Sequence, residues 1–132
     1  MRDYLSLQMQ SQDIDDISSL GLAHLGDAVY DLLVRSWLCE HGSMTSRRLH
    51  YETIRKVNAA AQARAFEKIR NLLTTEENAV FKRGRNTKVN TVPSRATVAQ
   101  YHTATGLEAL LGWLYLRGEK DRINELFIKM ME

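Results

Sequence analysis

The sequence contains only one cysteine and one proline among its 132 residues. A lone thiol, Cys39, cannot form an internal disulfide, and no group of cysteines and histidines has the spacing of a zinc site. No apolar run reaches the roughly eighteen residues needed to cross a bilayer, and the first residues lack the apolar centre of a signal peptide. We therefore expect a cytoplasmic protein that has no disulfide, no structural zinc and no contact with membranes.

A strand pattern is also missing, because apolar and polar residues nowhere alternate for long enough. The apolar residues recur at helical spacing instead, which predicts an all-α fold with six or seven helices. The length is that of one domain, so residues 1–132 are expected to form a single unit. Residues 1–16 are interpreted as a loose lead-in.

The helix boundaries follow from capping residues and glycines. Ser18 or Ser19 is expected to cap the first long helix, and Ser46 to cap the next one. The spacing of Thr74 and Glu77 predicts a capping box. Helices are expected over about residues 18–41, 57–72, 74–85, 98–116 and 121–131. A further short helix is expected to begin at residue 46. Residues 86–98, which contain the only proline, are predicted to form a long basic loop with a functional role.

Two apolar helices each contain two glycines and an acidic residue in their apolar part. Asp27 lies in the first helix and Glu108 in the second, and each is surrounded by apolar neighbours. A glycine inside a helix costs about 1 kcal/mol relative to alanine, which is tolerable if another backbone must come close. The pattern therefore predicts that the two helices cross closely and bring Asp27 and Glu108 together. Such a pair either binds a hard cation such as Mg²⁺ or forms ion pairs with buried Arg or Lys side chains.

Asp31 lies one helical turn after Asp27 and shares its face. We interpret it as a surface acid or as a residue that supports the metal ligands from outside. The histidines near the two acids, His24 and His102, are expected to be ordinary core residues.

The basic residues are concentrated in two parts of the chain. Residues 44–70 contain seven bases and two acids, and residues 78–107 contain five bases and no acid. Such segregation favours an anionic partner, although solvated helix faces explain the 44–70 region equally well. The positive charges of Lys82 and Arg83 are explained if they interact with the dipole at the C-terminal end of a helix. This explanation does not extend to Arg85, Lys88 and Arg95. We interpret the loop after Phe81 in this second region as a surface for the backbone of a nucleic acid duplex, because the loop has no aromatic side chains for stacking on single-stranded bases.

The two acidic helices resemble those of ribonuclease III endonuclease domains. Residues 25–29 (Leu-Gly-Asp-Ala-Val) resemble the signature helix of that family, and residues 107–112 (Leu-Glu-Ala-Leu-Leu-Gly) resemble its second acidic helix. Residues 22–28, with the basic residues 82–86, resemble the Mini-III branch in particular. The resemblance covers about residues 18–130.

The resemblance implies a ribonuclease III-like helical bundle that acts as a homodimer and uses Mg²⁺, for which Mn²⁺ can substitute. It implies an endoribonuclease that hydrolyses double-stranded RNA to 5′-phosphate and 3′-hydroxyl ends. Mini-III enzymes mature the 5′ and 3′ ends of precursor 23S ribosomal RNA, often with the help of a large-subunit ribosomal protein. Carried over by position, Asp27 and Glu108 become the catalytic, metal-binding acids.

Two positions depart from the family pattern. Ala23 replaces an acid one turn before Asp27, and Thr105 replaces an acid three residues before Glu108. Only two of the usual four acids remain, so waters, RNA phosphates and the Thr105 hydroxyl would have to complete the coordination, and we expect weak metal binding without RNA. The C-terminal double-stranded-RNA-binding module of the family is expected to be absent. RNA affinity would then come from the nuclease domain itself. The candidate RNA-binding residues are Lys82, Arg83, Arg85, Asn86, Lys88 and Arg95.

Two other functions remain open from the sequence. One is a non-catalytic RNA-binding or ribosome-assembly module on the same fold, in which the missing acids have cost the activity. The other is a purely structural helical dimer. Metal-dependent cleavage of RNA would separate the enzyme from the binding module, and salt-dependent RNA binding would separate the module from the structural dimer.

Overall fold

The computed structural model describes residues 1–42, 45–88 and 96–132. These residues form only helices and connecting segments, which confirms the all-α prediction for the described chain. None of the described helices combines the length and the apolar character that a bilayer crossing needs. The helices are α1 (Ser11–Asp15), α2 (Ser19–His41), α3 (Ser46–Val57), α4 (Ala59–Glu67), a 3₁₀ turn (Arg70–Leu72), α5 (Thr75–Arg85), α6 (Val98–Leu116) and α7 (Lys120–Met130).

Helix α6 forms the centre of the core. This helix is apolar on more than one face, and α2, α4 and α5 pack around it. Leu107, Leu110 and Leu114 are completely buried, as is Val34 on the facing side of α2. Because α6 is covered on several sides, the position of its one acidic residue is fixed by the packing of the helices around it.

Helices α2 and α6 cross with their backbones in contact. Gly26 of α2 lies against the backbone of Glu108, and Gly112 of α6 lies against the carbonyl of Leu22. The close crossing predicted from the glycines is therefore present. A side chain larger than hydrogen at either glycine would separate the two helices.

Several predicted helix ends are confirmed by their hydrogen bonds. Ser18 Oγ accepts from the Gly21 amide at 3.0 Å, so Ser18 is the cap of α2. Thr74 and Glu77 form the predicted capping box of α5, at 2.8 and 3.1 Å. Gly118 ends α6 with a φ of +76°, a conformation that favours glycine.

The helix predicted over about 57–72 is too long, because α4 begins at Ala59, after Asn58, and ends at Glu67. The Asn58 side chain donates to the carbonyls of Ile54 and Arg55 and accepts from the Ala61 amide. Asn58 therefore caps both the end of α3 and the start of α4, and the 3₁₀ turn follows α4. Similarly, the cap of α3 is Thr45 and not Ser46.

The interpretation of residues 1–16 as a loose lead-in needs correction. Residues 11–15 form α1, and Ile14 is only 1% exposed within the core. The Met9 amide donates to the Leu116 carbonyl at 2.8 Å, which ties the segment to the end of α6. The alternation of Leu7 and Met9 with polar residues has a physical reason, since both side chains pack against the core.

A largely buried ion pair connects α5 to α7. Arg122 donates to both carboxylate oxygens of Glu77 at 2.8 Å and to the Leu72 carbonyl at 2.8 Å. The hydrogen bonds from Arg122 hold the pKa of Glu77 below its usual range. This pair fixes the start of α5, the helix whose other end carries the basic segment.

Candidate active site

The crossing of α2 and α6 brings the two sequence-predicted acids together. Asp27 follows Gly26 directly, and Gly26 touches the backbone of Glu108. The side chains of Asp27 and Glu108 lie close enough for Asp27 to raise the pKa of Glu108. Asp27 is exposed, whereas Glu108 is mostly buried. The site therefore has one carboxyl group open to an incoming ligand and one held inside the protein.

The environment of Glu108 strongly favours its protonated form. Burial, together with the nearby carboxyl group of Asp27 and its negative charge, raises the pKa of Glu108 to about 8. A hydrogen bond from Gln62 acts in the opposite direction. At neutral pH Glu108 therefore holds its proton, and a bound cation would replace that proton.

Within the described residues, neither Asp27 nor Glu108 forms an ion pair with an Arg, Lys or His side chain. The alternative of structural ion pairs with buried bases therefore has no support in this part of the chain. Asp31 differs, since its Oδ1 accepts from Arg35 Nε at 3.0 Å on the surface of α2. A pair of carboxylates held together without a neighbouring base is typical of a cation site.

Thr105 and Ala23 lie where the sequence placed them, one turn before each acid, and both are buried. The Thr105 hydroxyl donates to the Tyr101 carbonyl at 3.0 Å, four residues earlier in α6. Its oxygen keeps lone pairs, but the described contacts of Thr105 do not include Glu108. No group of three or more Asp, Glu, His or Cys side chains suited to a metal occurs among the described residues.

Gln62 is a site residue that the sequence did not indicate. It lies on α4, is 2% exposed, and its Nε2 is 3.4 Å from Glu108 Oε2. Three helices therefore converge on the carboxyl pair: α2, α6 and α4. The only signal in the sequence is one polar residue in an alanine-rich segment, and that pattern is equally typical of a solvated position.

The basic residues after Phe81 lie on two sides of the molecule. Arg85, Asn86 and Lys88 line an open cleft of about 650 Å³ together with Thr87 and three residues at the start of α6. Arg85 also lies over the Phe81 ring, with its guanidinium carbon 5.6 Å from the ring centroid. This cleft provides two positive charges and several hydrogen-bonding groups, a composition suited to phosphates.

The remaining candidates for RNA binding are placed differently. Arg83 lines two depressions between α5 and the α1 region, near Asp15 and Trp113, and does not line the cleft. Lys82 is exposed. Arg95 lies outside the described residues.

Several bases of the 44–70 region line a second groove, of about 320 Å³, between α3, α4 and α7. One acid, Glu52, shares this groove and pairs with Arg48 at 3.5 Å and with Arg55 at 4.0 Å. The groove thus contains bases that are paired with Glu52 and bases that are not. The interpretations of this region as a surface for an anionic partner and as solvated helix faces therefore both stay open. The bases of the groove are Arg55, Lys56, Arg64 and Lys68.

The residues present fit a Mg²⁺ ion. Magnesium keeps several of its waters and is commonly bound by one or two carboxylates together with substrate phosphates. Asp27 and Glu108 supply that number of carboxylates, and the exposed position of Asp27 leaves room for a phosphate beside them. The charge of a cation would also compensate the like-charge repulsion that now raises the pKa of Glu108.

Comparisons with known proteins identify relatives of this chain. A family model described as Ribonuclease III domain matches residues 20–119, a range that contains both acidic helices. The chain is 41% identical to a Mini-ribonuclease 3 of Clostridium tetani, over 96% of this chain and 85% of that protein. It is also 41% identical to a Mini-ribonuclease 3 of a Thermoanaerobacter species, over 94% of this chain and 89% of that protein. The crystal structure of a Fusobacterium nucleatum protein is similar, with a TM-score of 0.82 and 34% identity, covering 90% of this chain and 95% of that chain.

Proposed function

The chain belongs to the ribonuclease III family and is an endoribonuclease of the Mini-ribonuclease 3 type, and on this premise we propose that it hydrolyses double-stranded RNA with Mg²⁺ bound by Asp27 and Glu108. The observation that supports this proposal is the close carboxyl pair at the α2–α6 crossing, in which the pKa of Glu108 is raised to about 8. Mn²⁺, which prefers the same oxygen ligands, is proposed as a substitute.

The roles of the two acids follow from their exposure. Glu108 is held by the packing of α6, so its carboxylate has a fixed position once it has lost its proton. Asp27 faces solvent and is the group that an RNA phosphate meets first. When bound, Mg²⁺ supplies activation of a water nucleophile and stabilisation of the charge that develops at phosphorus. Thr105 and Asp31 are proposed to support the site from outside the pair.

We propose that the RNA backbone lies over the basic segment after Phe81. Arg85, Asn86 and Lys88 already share one cleft, which is next to the start of α6, the helix that carries Glu108. Phosphate contacts of this kind suit a duplex, whose shape is recognised through its backbone and 2′-hydroxyls. Lys82, Arg83 and Arg95 remain proposed members of this surface.

The substrate and assembly are proposed from the family. We infer a cytoplasmic homodimer, in which one site would cut each strand, and α2 exposes Leu20 and Leu32 as apolar surface that a second copy could cover. The proposed physiological substrate is precursor 23S ribosomal RNA, cut at its 5′ and 3′ ends. A large-subunit ribosomal protein is the proposed helper.

The wild-type protein is expected to cut a long RNA duplex in Mg²⁺ and to leave it intact in EDTA, because the proposed site relies on the metal to activate water and to stabilise the charge that develops at phosphorus. Gel analysis of the products, with end-labelling to identify 5′-phosphates, measures this. The same assay on precursor 23S ribosomal RNA tests the proposed substrate. Cleavage that persists in EDTA would contradict the metal requirement, and binding without cleavage of either RNA would contradict the proposed substrate class.

Arg85→Ala and Lys88→Ala are expected to weaken binding of an RNA duplex in EDTA, because each removes one positive charge from the cleft. The slope of log K against log salt should fall by roughly 1 for each phosphate contact that is lost. Fluorescence anisotropy at several salt concentrations gives both quantities. Arg83→Ala, measured in the same way, shows whether the opposite face of α5 takes part.

Lys129→Ala is the matched control for these variants, since it removes the same charge from α7, far along the chain from the cleft. Its affinity and salt slope should equal those of the wild type. If Arg85→Ala and Lys88→Ala also leave both quantities unchanged, the cleft is not part of the RNA-binding surface.

A further inference from the structure

We propose that Gln62 is a positioning residue that holds the Glu108 carboxylate in its metal-binding orientation through a hydrogen bond from Nε2. This inference rests on the proposed function, in which Glu108 is a metal ligand. Gln62 is 2% exposed, and it is the one buried polar side chain of α4. The two other side chains that α4 buries, Ala63 and Phe66, are apolar.

The orientation of the Gln62 amide is determined by the backbone of α3. Nε2 lies 2.8 Å from the carbonyl oxygen of Val57, the last residue of that helix. A carbonyl only accepts hydrogen bonds, so the NH₂ end of the amide must face it. The same nitrogen is 3.4 Å from Glu108 Oε2, which leaves its second hydrogen for the carboxylate.

The anchor of this contact is rigid. Val57 is followed by Asn58, whose side chain bonds to the end of α3 and to the first turn of α4. The Val57 carbonyl and the Gln62 side chain are therefore fixed to one another by two capped helix ends. A donor held in this way restricts the rotation of the Glu108 carboxylate, and a ligand held in one orientation binds a cation more tightly.

The second polar atom of the amide shows that Gln62 does more than fill space. Gln62 Oε1 is buried and has no hydrogen-bond partner among the described residues. Burying an amide oxygen without a partner destabilises a fold, and an apolar side chain of the same length would avoid that cost. Unsatisfied buried groups of this kind are concentrated at functional sites. The presence of an amide at this position, despite its cost in stability, is explained if its nitrogen donates a hydrogen bond to Glu108.

The test compares Gln62→Met and Gln62→Leu with the wild type, since both substitutions keep an apolar volume but remove the donor. The Mg²⁺ concentration that gives half-maximal duplex cleavage is expected to rise at least about tenfold, as for the loss of a hydrogen bond to a charged group. The rate at saturating Mg²⁺ should recover to near the wild-type value. Titration of Mn²⁺ into the enzyme with cleaved duplex, followed by the EPR signal of free Mn²⁺, should show the same shift without turnover.

Two further measurements separate positioning from a structural role. RNA affinity in EDTA should be unchanged, and the melting temperature of the metal-free protein should change little, because the lost hydrogen bond to the Val57 carbonyl is offset by the removal of an unsatisfied buried oxygen. Thr53→Val is the matched control: Thr53 is 3% exposed, and its hydroxyl donates to the Leu49 carbonyl of α3 at 2.7 Å. This control should alter only the melting temperature and leave the Mg²⁺ requirement as in the wild type.

Gln62→Glu distinguishes a donor from a metal ligand. If Gln62 donates to Glu108, the added carboxylate repels Glu108, and the Mg²⁺ requirement rises at least as far as in Gln62→Met. A Mg²⁺ requirement below that of the wild type would show a ligand at this position and overturn the proposal. An unchanged requirement in Gln62→Met and Gln62→Leu would overturn it as well. If the wild type itself showed no metal-dependent cleavage, the proposed function would fail first, and the role of Gln62 would fail with it.

Discussion

Asp27→Asn and Glu108→Gln are each expected to lower metal-dependent cleavage of duplex RNA by about 10³-fold or more. Each substitution replaces one of only two carboxylates at the α2–α6 crossing by a neutral amide of the same shape. A metal ion at such a site stabilises the transition state by several kcal/mol, and each 1.36 kcal/mol corresponds to a factor of ten in rate. Initial rates in saturating Mg²⁺ measure the loss, and RNA affinity in EDTA should change little.

The metal-free stability of Glu108→Gln provides an internal control. The pKa of Glu108 is raised from an ordinary value of about 4.3 to about 8 in the folded protein. Between about pH 4.3 and about pH 8 the group is ionised in the unfolded protein but protonated in the folded protein. The free energy of unfolding therefore falls as the pH rises through this range. Glu108→Gln removes this loss. It should therefore melt at a higher temperature than the wild type at pH 8–9 without metal, and the difference should disappear under acidic conditions.

This combination excludes misfolding as the cause of the lost activity. A variant that melts at a higher temperature but does not cut RNA has lost chemistry and not structure. Glu40→Gln is the companion control, since Glu40 is an exposed acid near the other end of the same helix. If Glu108→Gln kept substantial metal-dependent activity, the carboxyl pair would not be the active site.

The fold could be predicted from the sequence where its determinants are local. Ser18 and the Thr74–Glu77 pair act within one helical turn, so their positions in the chain were sufficient to place the helix ends. The end of α4 at Glu67 was missed, because Ile69 and Leu72 continue the apolar spacing of the helix although residues 70–72 form a 3₁₀ turn. The burial of Ile14 was missed for a different reason: it depends on the distant end of α6, which the local pattern of residues 1–16 does not show.

The candidate site divides in the same way. The two acids stood out because a carboxylate and glycines within an apolar helix are unfavourable unless another element needs them. Gln62 gave no such signal, since its role arises only when folding brings it to Glu108, 46 residues away. The basic segment was recognised by its charge, but charge alone does not show that Arg83 and Arg85 lie on different sides of α5. Two residues advance a helix by about 200°, so neighbouring bases separate as soon as the helix forms.

Gly26→Ala is expected to destabilise the protein by at least about 3 kcal/mol, an unusually large effect for the addition of one methyl group. An ideal Cβ at position 26 would lie 1.6 Å from the Glu108 carbonyl oxygen and 2.9 Å from the Gly112 amide nitrogen. Both atoms belong to the backbone of α6, so no side-chain rotation can relieve the clash. The two central helices would have to move apart, and the leucines of α6 would lose contacts along their length.

The effect should be visible as a fall in the urea midpoint of unfolding, or as a failure to accumulate folded protein, since domains of this size are stable by only about 5–15 kcal/mol. Gly21→Ala is the matched control within the same helix. There a Cβ would meet only side-chain atoms, at 3.0 Å from Ile17 Cγ2 and 3.2 Å from Ser18 Oγ, and the gain in helix propensity is about 1 kcal/mol. We expect Gly21→Ala to stay within about 1 kcal/mol of the wild type. A Gly26→Ala variant as stable as Gly21→Ala would show that the helices do not cross in backbone contact, and the juxtaposition of Asp27 and Glu108 would lose its structural basis.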